Sequence, residues 1–195
     1  MIKTDLAQSP RRVQCGGDRF RLYLDRETIQ ARVREIGRRI SDDYRDSRPI
    51  LIGVLNGSFI FLADLMRAID IECEVDFLKL SSYGEEKISS GIVRELKKID
   101  APIEGRHVIL VEDIVDTGLS MRFILERLQA HRPASIRTAT LLHKTVATKV
   151  DLKLDYIGFE IENLFVIGYG LDYGQLGRNL DEIYILDEPP HRNGA

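Results

Sequence analysis

Apolar positions along the chain follow two patterns, a helical spacing and short continuous runs. Positions 29, 33, 36 and 40 are all isoleucine or valine, which predicts an amphipathic helix that Asp25 caps and that continues to about Asp43. Strand-then-helix pairs are predicted from ILIGVL (50–55) with SFIFLADLMRAI (58–69), and from HVILV (107–111) with SMRFILERLQAH (120–131).

Further strands are predicted from SIRTATLL (135–142), YIGFEI (156–161), FVIGYG (165–170) and EIYIL (182–186). CEVDFLKL (73–80) alternates, with Cys73, Val75 and Phe77 on one face, and we expect Cys73 to be a buried thiol. SSYGEEKISSG (81–91) is polar and predicts a long loop, while residues 1–20 and 187–195 are expected to be loosely packed ends.

Strands that alternate with helices predict an α/β fold, with a mostly parallel sheet that helices cover on both faces. Ligands of such sheets bind beyond the carboxyl ends of the strands. The stretch VILVEDIVDTGLS (108–120) lies at such an end. We expect the strand to cover Val108–Val111, the turn Glu112–Gly118, and the next helix to begin at Ser120.

This turn combines three acids with hydroxyls and a glycine. The backbone N–H groups of residues 117–120 at a helix N-terminus form an anion site that suits a phosphate monoester. Acids repel a bare phosphate, so Glu112 and Asp113 indicate a ligand that also carries sugar hydroxyls or Mg²⁺. Asp116 is positioned to act as a base or to stabilise a developing cation.

Other readings of the turn explain fewer of its residues. Acids that only cap a helix would account for one carboxylate, but not for three followed by Thr-Gly-Leu-Ser. The DTG triplet also occurs in aspartic proteases, which need two such aspartates in a largely β chain, whereas here it occurs once and precedes a helix. Neither G-x-x-x-x-G-K-[ST] nor G-x-G-x-x-G is present.

Composition and charge limit the kinds of binding partner and the cellular location that we expect. The chain has 195 residues, a net charge of −3 and a pI near 5.9, which argues against nucleic acid as a partner. No stretch approaches the ~18 apolar residues of a membrane span. The N-terminus lacks the pattern of a secretory signal, and the two cysteines, Cys15 and Cys73, form no CxxC pair, so we expect a cytoplasmic protein.

The motif VILVEDIVDTGLS closely resembles the phosphoribosyl-pyrophosphate (PRPP) motif of type I phosphoribosyltransferases. LNGSFIFLADL, DFLKLSSYG, LLHK and FVIGYGLDYGQLGRNL resemble the hypoxanthine-guanine phosphoribosyltransferases, in the same order and spacing, from about Ile50 to Leu186. The resemblance implies one domain over residues 1–195, with a core of about 28–160 and a small hood formed by the N-terminal segment and about 161–190.

The resemblance also implies roles for the acid-rich turn and its partners. Glu112 and Asp113 would hold the ribose hydroxyls, directly or through Mg²⁺, and Asp116 would accept the proton at purine N7. The predicted 5′-phosphate site is Asp116, Thr117, Gly118, Leu119 and Ser120. The predicted pyrophosphate site is the turn of Leu55, Asn56 and Gly57, together with Arg178.

The purine site is implied in the same way. Lys144 would donate to the purine O6, Phe165 would stack on the ring, and the Val166 carbonyl would accept from the base. Asp172 would help to bind a second Mg²⁺. Ser82 and Tyr83 would belong to a closing lid.

Each purine-site residue also has an ordinary structural explanation when it is taken alone. Lys144 can be a surface lysine, Phe165 a core residue, and Asp172 with Arg178 a weak ion pair. The order and spacing of the set favour the functional interpretation. An ammonium at position 144 would favour hypoxanthine and guanine over adenine, because a 6-amino group offers it no acceptor.

One position departs from the family. Members often have a basic residue where this chain has Asn56, so the tightness of pyrophosphate binding is an open question. By the same resemblance, a cis peptide bond is expected between Leu55 and Asn56. No role is assigned to His107, His131, His143 or His191.

The sequence therefore predicts a purine salvage enzyme that transfers the phosphoribosyl group of PRPP to N9 of hypoxanthine, and of guanine, to give IMP or GMP. A homodimer or homotetramer is implied, with the Asn56 turn near an interface. The alternatives are a regulator that keeps the fold and senses PRPP or nucleotides, and an enzyme that prefers xanthine.

Overall fold

The computed structural model describes residues 11–80 and 95–187. The chain divides into two compact units. The central unit comprises residues 30–163, and the terminal unit comprises residues 1–29 and 164–195. In chain order, the described elements are β1 (Arg12–Cys15), β2 (Asp18–Leu24), α1 (Arg26–Asp43), β3 (Ile50–Leu55), α2 (Phe59–Ala68), β4 (Glu74–Leu80), β5 (Glu95–Lys97), β6 (His107–Val115), α3 (Leu119–Gln129), β7 (Ser135–Lys144), β8 (Tyr156–Ile161), β9 (Val166–Ile167) and β10 (Ile183–Leu186).

The central unit is built on a six-stranded sheet in the order β5-β4-β3-β6-β7-β8. Every neighbouring pair is parallel except β4 and β5. The predicted mostly parallel α/β sheet is therefore confirmed.

Both faces of the inner strands are buried. Ile52 of β3 and Leu110 of β6 belong to one core cluster with Ile124 of α3. The alternate residues Leu51 and Ile109 point to the opposite face and are also fully buried. A strand that is covered on both sides must be apolar throughout, which is why these segments read as continuous runs.

Helix α1 ends at Asp43 and begins one residue after Asp25, as predicted. The Asp25 carboxylate accepts a hydrogen bond from the backbone N–H of Thr28 (2.8 Å), which is the N-cap geometry. The predicted apolar stripe is buried to 1% exposure or less at Ile29, Val33, Ile36 and Ile40.

The terminal unit contains a four-stranded antiparallel sheet in the order β1-β2-β10-β9. The prediction of a loose end through residue 20 is wrong for residues 12–20, because β1 and β2 form a hairpin. Gly16 and Gly17 supply its two-residue turn at φ +59° and +95°, a conformation that glycine adopts without strain. Phe20 is fully buried with Ile167 and Tyr184.

Strand β4 turns a different face to the core than predicted. Asp76 and Leu78 are buried, while Val75 is 40% exposed. Cys73 is only half-buried, and this burial raises the pKa of its thiol. The Asp76 carboxylate tolerates its position because backbone N–H groups of Asp100 and Ala101 donate to it.

No helix in the described part of the chain is long and apolar enough to cross a membrane. The proposed lid residues Ser82 and Tyr83 lie outside the described residues.

Candidate active site

The acid-rich segment begins inside strand β6. The strand continues to Val115, because Ile114 and Val115 pair with Leu142 and His143 of β7. The prediction that the turn starts at residue 112 is therefore wrong, since residues 112–115 still belong to the parallel ladder. The turn covers residues 116–118, and α3 begins at Leu119, one residue earlier than predicted.

The turn is held tightly where it enters α3. Gly118 has φ +81°, and a Cβ there would lie 2.7 Å from a methyl group of Leu152 and 2.8 Å from one of Val150. The first turn of α3 receives no side-chain cap from the described residues, so its N–H groups remain available to an anion. Thr117 and Ser120 flank Gly118 and Leu119 at this helix N-terminus.

Two carboxylates stand side by side near the end of β6. Burial, and then the neighbouring Asp113 carboxylate, raise the pKa of Glu112 well above its usual range. Asp113 is 8% exposed and accepts a hydrogen bond from the backbone N–H of Ile114 (2.9 Å). A Cβ at Gly57 would overlap the Asp113 carboxylate, so the turn after β3 and this acid are packed against each other.

A cation would relieve the repulsion that raises the Glu112 pKa. Within residues 11–80 and 95–187, no group of three metal-binding side chains is found. Mg²⁺ is commonly held by one or two carboxylates together with substrate phosphates, and two adjacent acids fit that requirement.

The turn after β3 has an unexpected basic neighbour. The peptide bond between Leu55 and Asn56 is cis. Lys79 of β4 pairs with Leu55 in the sheet, and its Nζ donates to Asn56 Oδ1 (3.1 Å). The neighbouring strand therefore places a positive charge beside Asn56. Sequence reasoning missed Lys79, although the parallel register of two predicted strands was a usable signal.

Asp116, one residue beyond β6, forms an ion pair with Lys144, the last residue of β7. Lys144 Nζ donates to Asp116 Oδ2 at 2.7 Å. The lysine side chain is 10% exposed and the aspartate side chain 47%. The structure thus brings the predicted proton acceptor and the predicted O6 donor together, and Lys144 is not a snorkelling surface lysine.

The remaining predicted site residues belong to the terminal unit. Phe165 is 47% exposed, and its ring packs edge-on against Tyr173 (5.5 Å between centroids). Val166 is buried in β9. Asp172 and Arg178 are paired with each other, with 2.7 Å between Oδ1 and Nη2. That pairing is the ordinary explanation that the sequence had left open for these two charges.

Arg178 also donates from Nη1 to the backbone oxygen of Gly170 (2.7 Å), and Asp172 accepts from the backbone N–H of Gln175 (2.8 Å). Both charged groups are therefore held in fixed positions within their own unit.

Comparison with known proteins agrees with the site chemistry. The family model of the phosphoribosyl transferase domain matches residues 23–174. The hypoxanthine-guanine phosphoribosyltransferase of Bacillus subtilis is 42% identical over 85% of this chain and 92% of its own length. The Mycobacterium avium enzyme of the same name is 45% identical over 88% of this chain and 87% of its own length.

Solved structures give the same result. A hypoxanthine-guanine phosphoribosyltransferase of Bacillus anthracis, with a HEPES molecule in its active site, superposes with a TM-score of 0.81 at 39% identity, over 85% of this chain and 97% of that one. A Trypanosoma cruzi hypoxanthine phosphoribosyltransferase in a ternary complex with substrates gives 0.80 at 42% identity, over 85% and 94%. This chain therefore belongs to the hypoxanthine-guanine phosphoribosyltransferases of the type I phosphoribosyltransferase family.

Proposed function

We propose that this enzyme transfers the 5-phosphoribosyl group of PRPP to N9 of hypoxanthine and guanine, giving IMP or GMP and pyrophosphate. The observation that carries the proposal is the 2.7 Å pair of Lys144 and Asp116, a donor for a 6-oxo group beside an acceptor for the N7 proton. The names of the relatives support the same substrates.

Lys144 selects the base. Its ammonium has three donors and no acceptor, so it binds the O6 of a 6-oxopurine and meets only further donors on the 6-amino group of adenine. Because the Nζ is largely withdrawn from water, a mismatched amino group would leave one of its N–H donors without an acceptor.

Asp116 accepts the proton that the purine loses. The C1–O bond to pyrophosphate breaks with oxocarbenium character at C1, and the bond from N9 to C1 forms. The displaced imidazole proton passes to the Asp116 carboxylate at N7. Half of that side chain is exposed, so it is open to an incoming base. Positioned general bases contribute about 10²–10⁴-fold to rate.

Different groups of residues bind the different parts of PRPP. The N–H groups of residues 117–120, with the helix dipole behind them, bind the 5′-phosphate. Glu112 and Asp113 accept from the ribose hydroxyls, directly or through Mg²⁺, and would hold that ion. Asp172 would help to hold a second Mg²⁺. When bound, Mg²⁺ neutralises pyrophosphate and makes it a better leaving group.

Further residues bind the pyrophosphate and the purine base. Asn56, Gly57 and Arg178 bind pyrophosphate, and Lys79 adds a positive charge 3.1 Å from Asn56. Phe165 stacks on the purine, and its half-exposed ring suits that role. The Val166 carbonyl accepts from the base.

The assembly and location of the enzyme are also part of the proposal. We propose one functional domain over residues 1–195, a homodimer or homotetramer, and a cytoplasmic location. The resemblance supports the first two statements, and the two unpaired cysteines support the third.

The alternative is a regulator that keeps the fold and senses PRPP or nucleotides. A base-conversion assay distinguishes the enzyme from the regulator. The protein is mixed with PRPP and Mg²⁺, hypoxanthine, guanine, xanthine and adenine are offered separately, and conversion is followed by UV absorbance. We expect conversion of 6-oxopurines and not of adenine. If no base is converted while PRPP still binds, the protein is the PRPP-sensing regulator and not the enzyme.

The same assay tests the assigned base. We expect Asp116→Asn to lower kcat by about 10²–10⁴-fold with little change in KM. Asp151→Asn, at an exposed carboxylate of the same unit, is the matched control and should keep the parent's kcat. An Asp116→Asn enzyme within a few-fold of the parent would remove Asp116 from the role of proton acceptor.

A further inference from the structure

The segment that follows β7 is tied to the end of β6 and to the turn after it by one hydroxyl group and one backbone N–H group. Thr148 Oγ1 lies 2.9 Å from the backbone oxygen of Asp116 and 3.0 Å from that of Lys144. The backbone N–H of Lys149 donates to the oxygen of Thr117 (2.9 Å). Thr148 therefore touches the backbones of both members of the Asp116–Lys144 pair.

The pairing between β6 and β7, which aligns these two residues, stops one residue before them. The last residue of β6 that pairs with β7 is Val115, opposite His143. Asp116 lies beyond the ladder, and its side chain is 47% exposed, so burial does not hold it in place. Its position relative to Lys144 depends on contacts that are made after the strands part.

Hydrogen-bond accounting shows how the hydroxyl is used. A threonine hydroxyl has one proton, and both backbone oxygens beside it can only accept. The proton of Thr148 therefore points to these two oxygens, which leaves its lone pairs free. His143 Nε2 lies 3.2 Å from Thr148 Oγ1 and must be the donor there.

The other nitrogen of the His143 ring faces the protein interior. Nδ1 is buried and has no hydrogen-bond partner among the residues that the structure describes. With the proton on Nε2, Nδ1 is the bare ring nitrogen and makes no hydrogen bond to the described residues. His143 therefore carries its proton on Nε2, facing Thr148.

We infer that Thr148, oriented by His143, is a positioning residue that holds Asp116 at the correct distance from Lys144 for transfer to a 6-oxopurine. The inference rests on the proposed function of that pair. Thr148 itself contacts backbone atoms and takes no part in the chemistry. An error of about 1 Å in the placement of a catalytic group can cost roughly 10²-fold in rate.

The test compares Thr148→Val, which keeps the shape and removes the hydroxyl, with Thr148→Ser, which keeps the hydroxyl. We expect Thr148→Val to lower kcat with hypoxanthine by about tenfold or more, within the limit set by misplacement. KM for PRPP should change less, because the Lys149-to-Thr117 hydrogen bond is intact. Thr148→Ser should recover most of the parent's kcat.

A second readout does not depend on activity. Amide hydrogen exchange at residues 116–120 should be faster in Thr148→Val than in the parent, and close to the parent's in Thr148→Ser. If the parent converts no base, the proposed function fails, and amide exchange alone then decides whether Thr148 holds the turn. Thr148→Ala replaces the valine variant if that variant does not fold.

The inference is overturned if Thr148→Val keeps kcat and amide exchange within about twofold of the parent's. It is also overturned if Thr148→Ser loses as much as Thr148→Val, because the hydroxyl would then not be the cause. His143→Leu should lower kcat by a few-fold and His143→Gln should lower it less, since glutamine retains an N–H donor. A His143→Leu enzyme equal to the parent would remove His143 from the inference.

Discussion

The Asp76 carboxylate joins β4 to residues 97–101, and its removal has a calculable cost. Burial raises its pKa, but this effect is outweighed by donors: the backbone N–H groups of Ala101 (2.8 Å), Phe77 (2.6 Å) and Asp100, and the ammonium of Lys97 (3.0 Å). Together they lower the pKa from 3.8 to about 2. At about 1.4 kcal/mol per pKa unit, the charged form adds about 2 kcal/mol to the free energy of unfolding.

The sign of the pH dependence follows from the direction of this shift. A pKa that is lower in the folded state favours folding wherever the unfolded chain has already lost its proton. The contribution of Asp76 is therefore complete above about pH 5 and is lost as the pH falls from 3.8 towards 2. Near pH 3 about half of it should remain.

The perturbation is Asp76→Asn, measured by urea unfolding at pH 7 and at pH 3. We expect a loss of about 2 kcal/mol at pH 7 and about half of that at pH 3. Asp42→Asn is the matched control, because Asp42 pairs with Arg45 on the surface with both side chains more than 70% exposed. It should cost at most about 0.5 kcal/mol.

Two results would refute this reasoning. One is an Asp76→Asn variant that is no less stable than Asp42→Asn at pH 7. The other is a destabilisation of the same size at pH 7 and pH 3, because the carboxylate charge would then not be its source.

Two further predictions concern the pyrophosphate turn. Gly57→Ala should lower kcat/KM for PRPP by roughly 10²-fold, since the new methyl group must displace the Asp113 carboxylate. A kcat/KM near the parent's would show that Asp113 can move without loss of activity. Lys79→Gln should raise KM for PRPP by about tenfold, the scale of one charge-assisted hydrogen bond, and Asn56→Lys in the same chain should restore it. An unchanged KM in Lys79→Gln would exclude that lysine from PRPP binding.

The sequence by itself determined the elements whose signal is contiguous. Ile50–Leu55 and Val108–Val111 read as buried strands because a parallel strand covered on both faces needs an unbroken apolar run. Helix α1 was predictable to the residue, since both its cap and its stripe are local features. The chemical inventory of the site was also readable, because the motif keeps Glu112 through Ser120 together.

The predictions that were wrong concern segments whose structure depends on partners distant in the chain. Strand β6 extends beyond its apolar run, Val108–Val111, because residues of β7 some 28 positions later pair with residues 114 and 115. Asp76 is buried because a later backbone segment supplies its donors. The hairpin at residues 12–24 is the exception, since its Gly-Gly turn is a local signal in the sequence.

Only the tertiary structure decided which site residues meet. The Lys79 contact with Asn56 and the packing of Gly57 against Asp113 depend on the register of adjacent strands. The 2.7 Å pair of Asp116 and Lys144 forms just past the last β6–β7 pair, where contacts beyond the strands also act. A shift of one residue in that register would turn the side chains of the strands, Lys79 and Asp113 among them, to the other face of the sheet. The residues that perform the chemistry are thus written in the sequence, but their distances are a property of the assembled sheet.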